Sequence, residues 1–117
     1  AQALEREGFA VTELPVATDG VIDVERAFTA ISDDTLLVSV MAANNEIGVL
    51  QPLAEIGAIA GAAGALLHTD AAQAAGKMFL DLRTLGIDAM TVAPHKFHGP
   101  LGLGALVLRH GIELQPQ

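Results

Sequence analysis

The sequence predicts an α/β fold in which a mainly parallel sheet is flanked by helices. Two observations carry this: apolar runs of strand length recur along the chain, and segments with helical apolar spacing and capping residues stand between them. Strand, helix and strand in succession imply right-handed crossovers and parallel pairing.

Taken in order, the opening "ALEREG" reads as the end of a helix, and "FAVTELPV", after Gly8, as a short extended run. Asp23 can cap a helix whose Val24, Ala27, Phe28 and Ile31 follow the i, i+3, i+4, i+7 spacing of an apolar face. "TLLVSVM", residues 35 to 41, is a continuous apolar run rich in β formers, which predicts a strand buried on both faces. In "QPLAEIGAIAGAAG", Pro52 suits the first helical turn, Leu53, Ile56 and Ala60 share a face, and Gly64 can end the helix. "ALLHTD", "AMTVA" and "GALVLR" predict three further strands, with "LDLRTLGID" as a short helical or irregular crossover. No repeat, low-complexity tract or linker interrupts the pattern, so residues 1–117 are expected to form a single domain.

Composition narrows the function. With 117 residues, 51% of them apolar and 17% charged, the chain can bury a core. A formal charge of -8 argues against nucleic-acid and anionic-membrane partners, which need a basic surface. The lack of cysteine removes disulfides, thiolate metal sites and a cysteine nucleophile from within the chain. No apolar run reaches the roughly 18 residues of a membrane span, and the opening residues are charged where a signal peptide is apolar. A cytoplasmic location is expected, and the absence of an initial methionine suggests a piece of something longer.

In parallel sheets ligands bind beyond the carboxyl ends of the strands. Asn44, Asn45 and Glu46 follow the first strand, Asp70 and Gln73 the second, and His95 and Lys96 the third, so one site can collect them. A lysine Schiff base with pyridoxal phosphate uses this set. The amine must be neutral to attack the aldehyde, as a desolvated setting promotes. A carboxylate facing the pyridine nitrogen keeps it protonated, so that the ring accepts electrons. Asp70 suits that role, Gln73 and Asn45 can bind the ring hydroxyl oxygen, and His95 can donate to the phosphate. Each has a plainer alternative: a solvated surface lysine for Lys96, a helix N-cap for Asp70, turn or capping duty for Asn45 and Gln73, and a loop-fixing bond for His95. His68 reads as a satisfied core histidine. His98 and His110 have no argued role, and no histidine pair has metal-ligand spacing. The glycines of "GPLGLG" read as a bend leading to the last strand.

"NNEIGVLQPLAEI", "HTDAAQAAGK" and "HKFHGPLGLGAL", in that order and spacing, resemble the cofactor domain of class V aminotransferase-fold enzymes, most closely the cysteine desulfurases of the NifS/IscS group. The similarity extends over essentially the whole chain, including "LEREGFAVTELPV" and "GVIDVE". It implies the large domain of the aspartate-aminotransferase fold (fold type I), with the last strand antiparallel. It implies that Lys96 forms the Schiff base and shuttles protons, that Asp70 pairs with the pyridine nitrogen, that Gln73 and Asn45 bind the ring oxygen, and that His95 contacts the phosphate. The implied activity converts L-cysteine to L-alanine and an enzyme persulfide, in a homodimer that feeds a sulfur acceptor or an iron-sulfur scaffold. Three positions depart from the family pattern: Ala93 replaces a phosphate-binding serine, Leu101 a basic or polar residue, and Ala42 a frequent histidine. The family's phosphate loop, ring-stacking histidine, substrate-binding arginine and sulfur-accepting cysteine lie outside residues 1–117. The chain therefore reads as the central part of such an enzyme, not expected to complete the reaction alone. Other class V enzymes, such as a selenocysteine lyase or an aminotransferase, share Lys96 and Asp70, and a non-catalytic remnant or interaction module is the alternative outside catalysis.

Overall fold

In chain order the computed structural model, which describes residues 2–114, contains α1 (Gln2–Arg6), α2 (Val24–Ala30), β1 (Leu37–Met41), α3 (Leu53–Ala63), β2 (Leu66–Asp70), β3 (Ala89–Val92), a 3₁₀ turn (Pro94–Phe97) and β4 (Ala105–Leu108). The four strands form one sheet in the order β1-β2-β3-β4. β1, β2 and β3 are mutually parallel, and β4 returns antiparallel beside β3, as the family resemblance implies.

Local chemistry sets the element ends. The Asp23 side chain accepts the N–H groups of Glu25 and Arg26 and starts α2. Gly64, at φ 76°, takes the left-handed turn that closes α3, its N–H meeting the carbonyls of Ala60 and Gly61. Pro52 stands one residue before α3, at its N-cap.

The core joins Ala27 of α2, Leu53, Ile56 and Ala60 of α3, and Val38, Val40 and Leu67 of the strands. Within it α3 lies so close to the crossover that a Cβ at Gly57 would collide with the Leu85 carbonyl. Opposite, the sheet leaves Leu37, Met41 and Leu106 exposed. In register, Met41 stands beside Asp70, Asp70 beside Thr91 and Thr91 beside Leu106, so these four share one row on that outer face.

Two local expectations change. The segment 35 to 41 is not buried on both faces: β1 spans only its last five residues and alternates between exposed and buried, because described elements cover only the side bearing Val38 and Val40. Phe28 is not part of the α2 face, being 71% exposed. Ala27 is the buried residue of α2, which packs against α3. Residues 9 to 16, expected as a short extended run, stand outside the sheet and contribute a bridge between Val16 and Ile22. Among the described residues no helix is long and apolar enough to cross a membrane, and no cluster of three or more His, Asp or Glu side chains could hold a metal.

Candidate cofactor site

Because β1, β2 and β3 run parallel, their carboxyl ends meet at one edge, and the segments after them are tied together there. Ala42 N–H donates to the Asp70 carbonyl at 2.8 Å, and Ala71 N–H to the Thr91 carbonyl at 2.9 Å. The ladder thus continues one residue past the strands, holding the exits of β1 and β2 against their neighbours.

After β1 the chain makes a tight loop. The Asn44 side-chain oxygen accepts the N–H groups of Glu46 (2.8 Å) and Ile47 (3.1 Å), and Asn44 N–H donates to the Val49 carbonyl at 2.9 Å. Asn44 therefore serves the loop, an Asx-type turn, and Asn45 beside it stands exposed. Gln51 anchors the loop's return: its amide donates to the Gly20 carbonyl at 2.8 Å, and its oxygen accepts Ile22 N–H at 2.9 Å.

After β2 the Asp70 carboxylate is fixed through one oxygen, which accepts Ala72 N–H at 2.8 Å. The carboxylate is exposed at the sheet edge. Gln73 is half-buried, and its side-chain oxygen accepts from Lys77 Nζ at 3.1 Å. That leaves the Gln73 amide nitrogen as the donor for an outside oxygen.

After β3, Ala93 leads into the 3₁₀ turn that carries His95 and Lys96, both exposed. The turn ends on His98 in the left-handed conformation, φ 69°, and both His98 N–H and Gly99 N–H reach the Pro94 carbonyl. Lys96 Nζ makes no hydrogen bond or ion pair among the described residues.

A cleft of about 330 Å³ brings Asn45 and Gln73 together, with Asn44, Gly48, Lys77 and Met78 also on its wall. Asp70, His95 and Lys96 lie at the same sheet edge but outside that wall. Lys77 escaped the reading of the sequence as a neighbour of Gln73, although a spacing of four residues was available as a signal. A larger hollow of about 590 Å³, lined in part by Phe79, Arg83, Arg109 and His110, is separate from these groups. The Arg109 beside it is already engaged, pairing with Asp88, whose other oxygen accepts Leu67 N–H at 2.8 Å.

The donor set fits pyridoxal phosphate: a primary amine without a partner, a carboxylate with one oxygen anchored, and amides able to donate to a ring oxygen. It offers less to the phosphate, since Ala93 has no hydroxyl.

Residues 1–116 match the aminotransferase class-V family. The chain is 48% identical over 115 residues to the cysteine desulfurase IscS of Clostridium botulinum, covering 98% of this chain and 29% of that protein. It is 53% identical over 108 residues to the human cysteine desulfurase, covering 92% of this chain and 24% of that protein. Among solved structures, SspA in complex with cysteine superposes with a TM-score of 0.93 at 38% identity, over 98% of this chain and 34% of that one. A NifS-like protein gives 0.91, also at 38% identity, over 98% of this chain and 32% of that one. The chain therefore spans about a quarter to a third of the length of these relatives. Matched over nearly all of its residues, it belongs to the class-V aminotransferase family.

Proposed function

We propose that this chain is the central, cofactor-holding part of a cysteine desulfurase, with Lys96, Asp70, Gln73, Asn45 and His95 directed at pyridoxal phosphate. The observation that carries the reading is the departure of Asp70 and Lys96 from adjacent parallel strands at one sheet edge, each in a segment that backbone bonds tie down. Bound there, pyridoxal phosphate supplies an electron sink for bonds breaking at the substrate's α-carbon.

The chain's own residues would then act as follows. Lys96 would hold the cofactor through its amine and, when that amine is free, would act as the base that carries protons to and from the substrate carbon. Asp70, its carboxylate oriented by Ala72 N–H, keeps the proton on the ring nitrogen by opposite charge. Gln73 and Asn45 donate to the ring oxygen, and His95 donates to the phosphate. The products are L-alanine and sulfur passed to a cysteine that residues 1–117 do not contain. A homodimer, a sulfur acceptor or iron-sulfur scaffold as partner, and a cytoplasmic location belong to the same proposal.

The test is to incubate the protein carrying this chain with pyridoxal phosphate, reduce with borohydride, and map the modified lysine by peptide mass spectrometry. Saturable labelling at Lys96, lost in Lys96→Ala and not transferred to Lys77, is expected. Equal labelling of both lysines would overturn the reading.

A further inference from the structure

Among the described residues His68 is the one histidine whose two ring nitrogens both have partners. Its Nδ1 lies 2.8 Å from Ser39 Oγ on β1, and its Nε2 lies 2.8 Å from Thr91 Oγ1 on β3. The ring thus spans all three parallel strands. Among the described residues no other side chain does this.

Its position matters more than its bonds. His68 precedes Asp70 by two residues on β2, so both side chains rise from the same outer face. Thr91, which holds one end of the ring, is the register partner of Asp70. Ser39, which holds the other, precedes Met41 by two residues, and Met41 is the register partner of Asp70 on the opposite side. The seam Ser39–His68–Thr91 therefore runs from the row below Asp70 into the row that carries it, and touches both flanking strands.

A neutral imidazole donates from one nitrogen and accepts at the other, and each hydroxyl can complement either role. Aliphatic neighbours such as Leu37 and Leu66 in the next row do not fix strands laterally in this way, since their contacts are non-directional. Two directional bonds across three strands, one step below the carboxylate, set where that carboxylate stands.

We infer that His68 is a positioning residue for Asp70: with Ser39 and Thr91 it locks the spacing of the three strand ends and thereby holds the Asp70 carboxylate against the cofactor's ring nitrogen. The inference rests on the cofactor reading of Asp70 given above. His68 itself touches neither cofactor nor substrate in it.

The test uses the complete protein carrying this chain, with pyridoxal phosphate as the probe. Affinity is read from cofactor absorbance, the pH midpoint of the bound cofactor's absorbance is followed, and thermal stability is recorded beside both. Asp70→Asn is expected to move that midpoint, because it removes the charge facing the ring nitrogen. His68→Leu is expected to move it in the same direction by a smaller amount and to weaken cofactor binding about tenfold, as loss of an orienting partner does at other cofactor and metal sites. His68→Gln, which can still donate to one hydroxyl and accept from the other, is expected to restore both.

A purely structural histidine would lower thermal stability in His68→Leu while leaving midpoint and affinity at the wild-type values, and that result overturns the inference while Asp70→Asn upholds the cofactor reading. An unmoved midpoint in Asp70→Asn would overturn the cofactor reading and this inference with it. Should His68→Leu fail to fold, Thr91→Val, which removes one hydroxyl and keeps the shape, carries the same comparison with the same two outcomes.

Discussion

Gly76 and Phe97 are pressed together: a Cβ on Gly76 would stand 2.6 Å from the Phe97 Cβ. Gly76 precedes Lys77, at the end of the turn that follows Asp70, and Phe97 follows Lys96 in the 3₁₀ turn. This contact sets the distance between the segment bearing Asp70 and Gln73 and the segment bearing Lys96. Gly76 also sits at φ 75°, where a side chain is strained.

Gly76→Ala is therefore expected to destabilise the fold by about 2–4 kcal/mol, combining left-handed strain with the clash against Phe97. Under conditions where the variant remains folded, borohydride trapping at Lys96 should also fall, since Phe97 must shift and Lys96 is its neighbour. Urea denaturation and peptide mapping of the trapped lysine check the two parts. Trapping at the wild-type level in a folded variant would show that the contact does not set the lysine's place.

Thr69 provides a contrast, because it is fully buried and its hydroxyl has no hydrogen-bond partner among the described residues. Thr69→Val removes the orphaned oxygen and keeps the branched shape. It is expected to be neutral or to stabilise by about 1 kcal/mol, as measured by the urea midpoint. Thr69 faces the core while Asp70 faces outward, so cofactor trapping should not change. A loss of more than about 1 kcal/mol would mean that the hydroxyl has a partner, such as a buried water.

Gly57 leaves no room for a side chain, since a Cβ there would meet the Leu85 carbonyl. In an exposed helix Gly→Ala would gain about 1 kcal/mol. Here the crossover must move away, so Gly57→Ala is expected to cost about 1–3 kcal/mol in urea denaturation. A gain in stability would show that the crossover yields freely.

What the sequence disclosed and what it withheld divide by range. The caps at Asp23 and Gly64 were legible because each acts on residues within four positions. The gathering of Asn45, Asp70 and Lys96 at one edge was legible because parallel strands deliver their exits together. Burial was not: whether Leu37 and Phe28 are covered depends on elements distant in the chain, and an apolar run reads alike in either case. The division of labour within "NN", where Asn44 holds the loop and leaves Asn45 exposed, needed the loop's geometry. His68 read correctly as satisfied but not as a core residue, since it lies half-buried on the outer face of the sheet, and its partners stand 29 and 23 residues away, so the seam it completes had no local signature.

Asp81 makes a pH-dependent contribution that follows from its neighbours. Its carboxyl is held below the ordinary value of 3.8, first by the Thr84 hydroxyl, which donates to it at 2.7 Å, and then by the N–H groups of Thr84 and Arg83. A carboxyl whose folded value lies below its unfolded one adds stability that is present above the unfolded value and is lost as pH falls through the folded one. Asp81→Asn should therefore show its largest deficit in urea midpoint near pH 6, and that deficit should close as pH falls below about 4. Because the crossover that Asp81 orders packs on α3 through Leu85, the loss should appear in global unfolding as well as in the loop. A deficit as large at pH 3 as at pH 6 would assign the effect to the shape of the side chain instead of its charge.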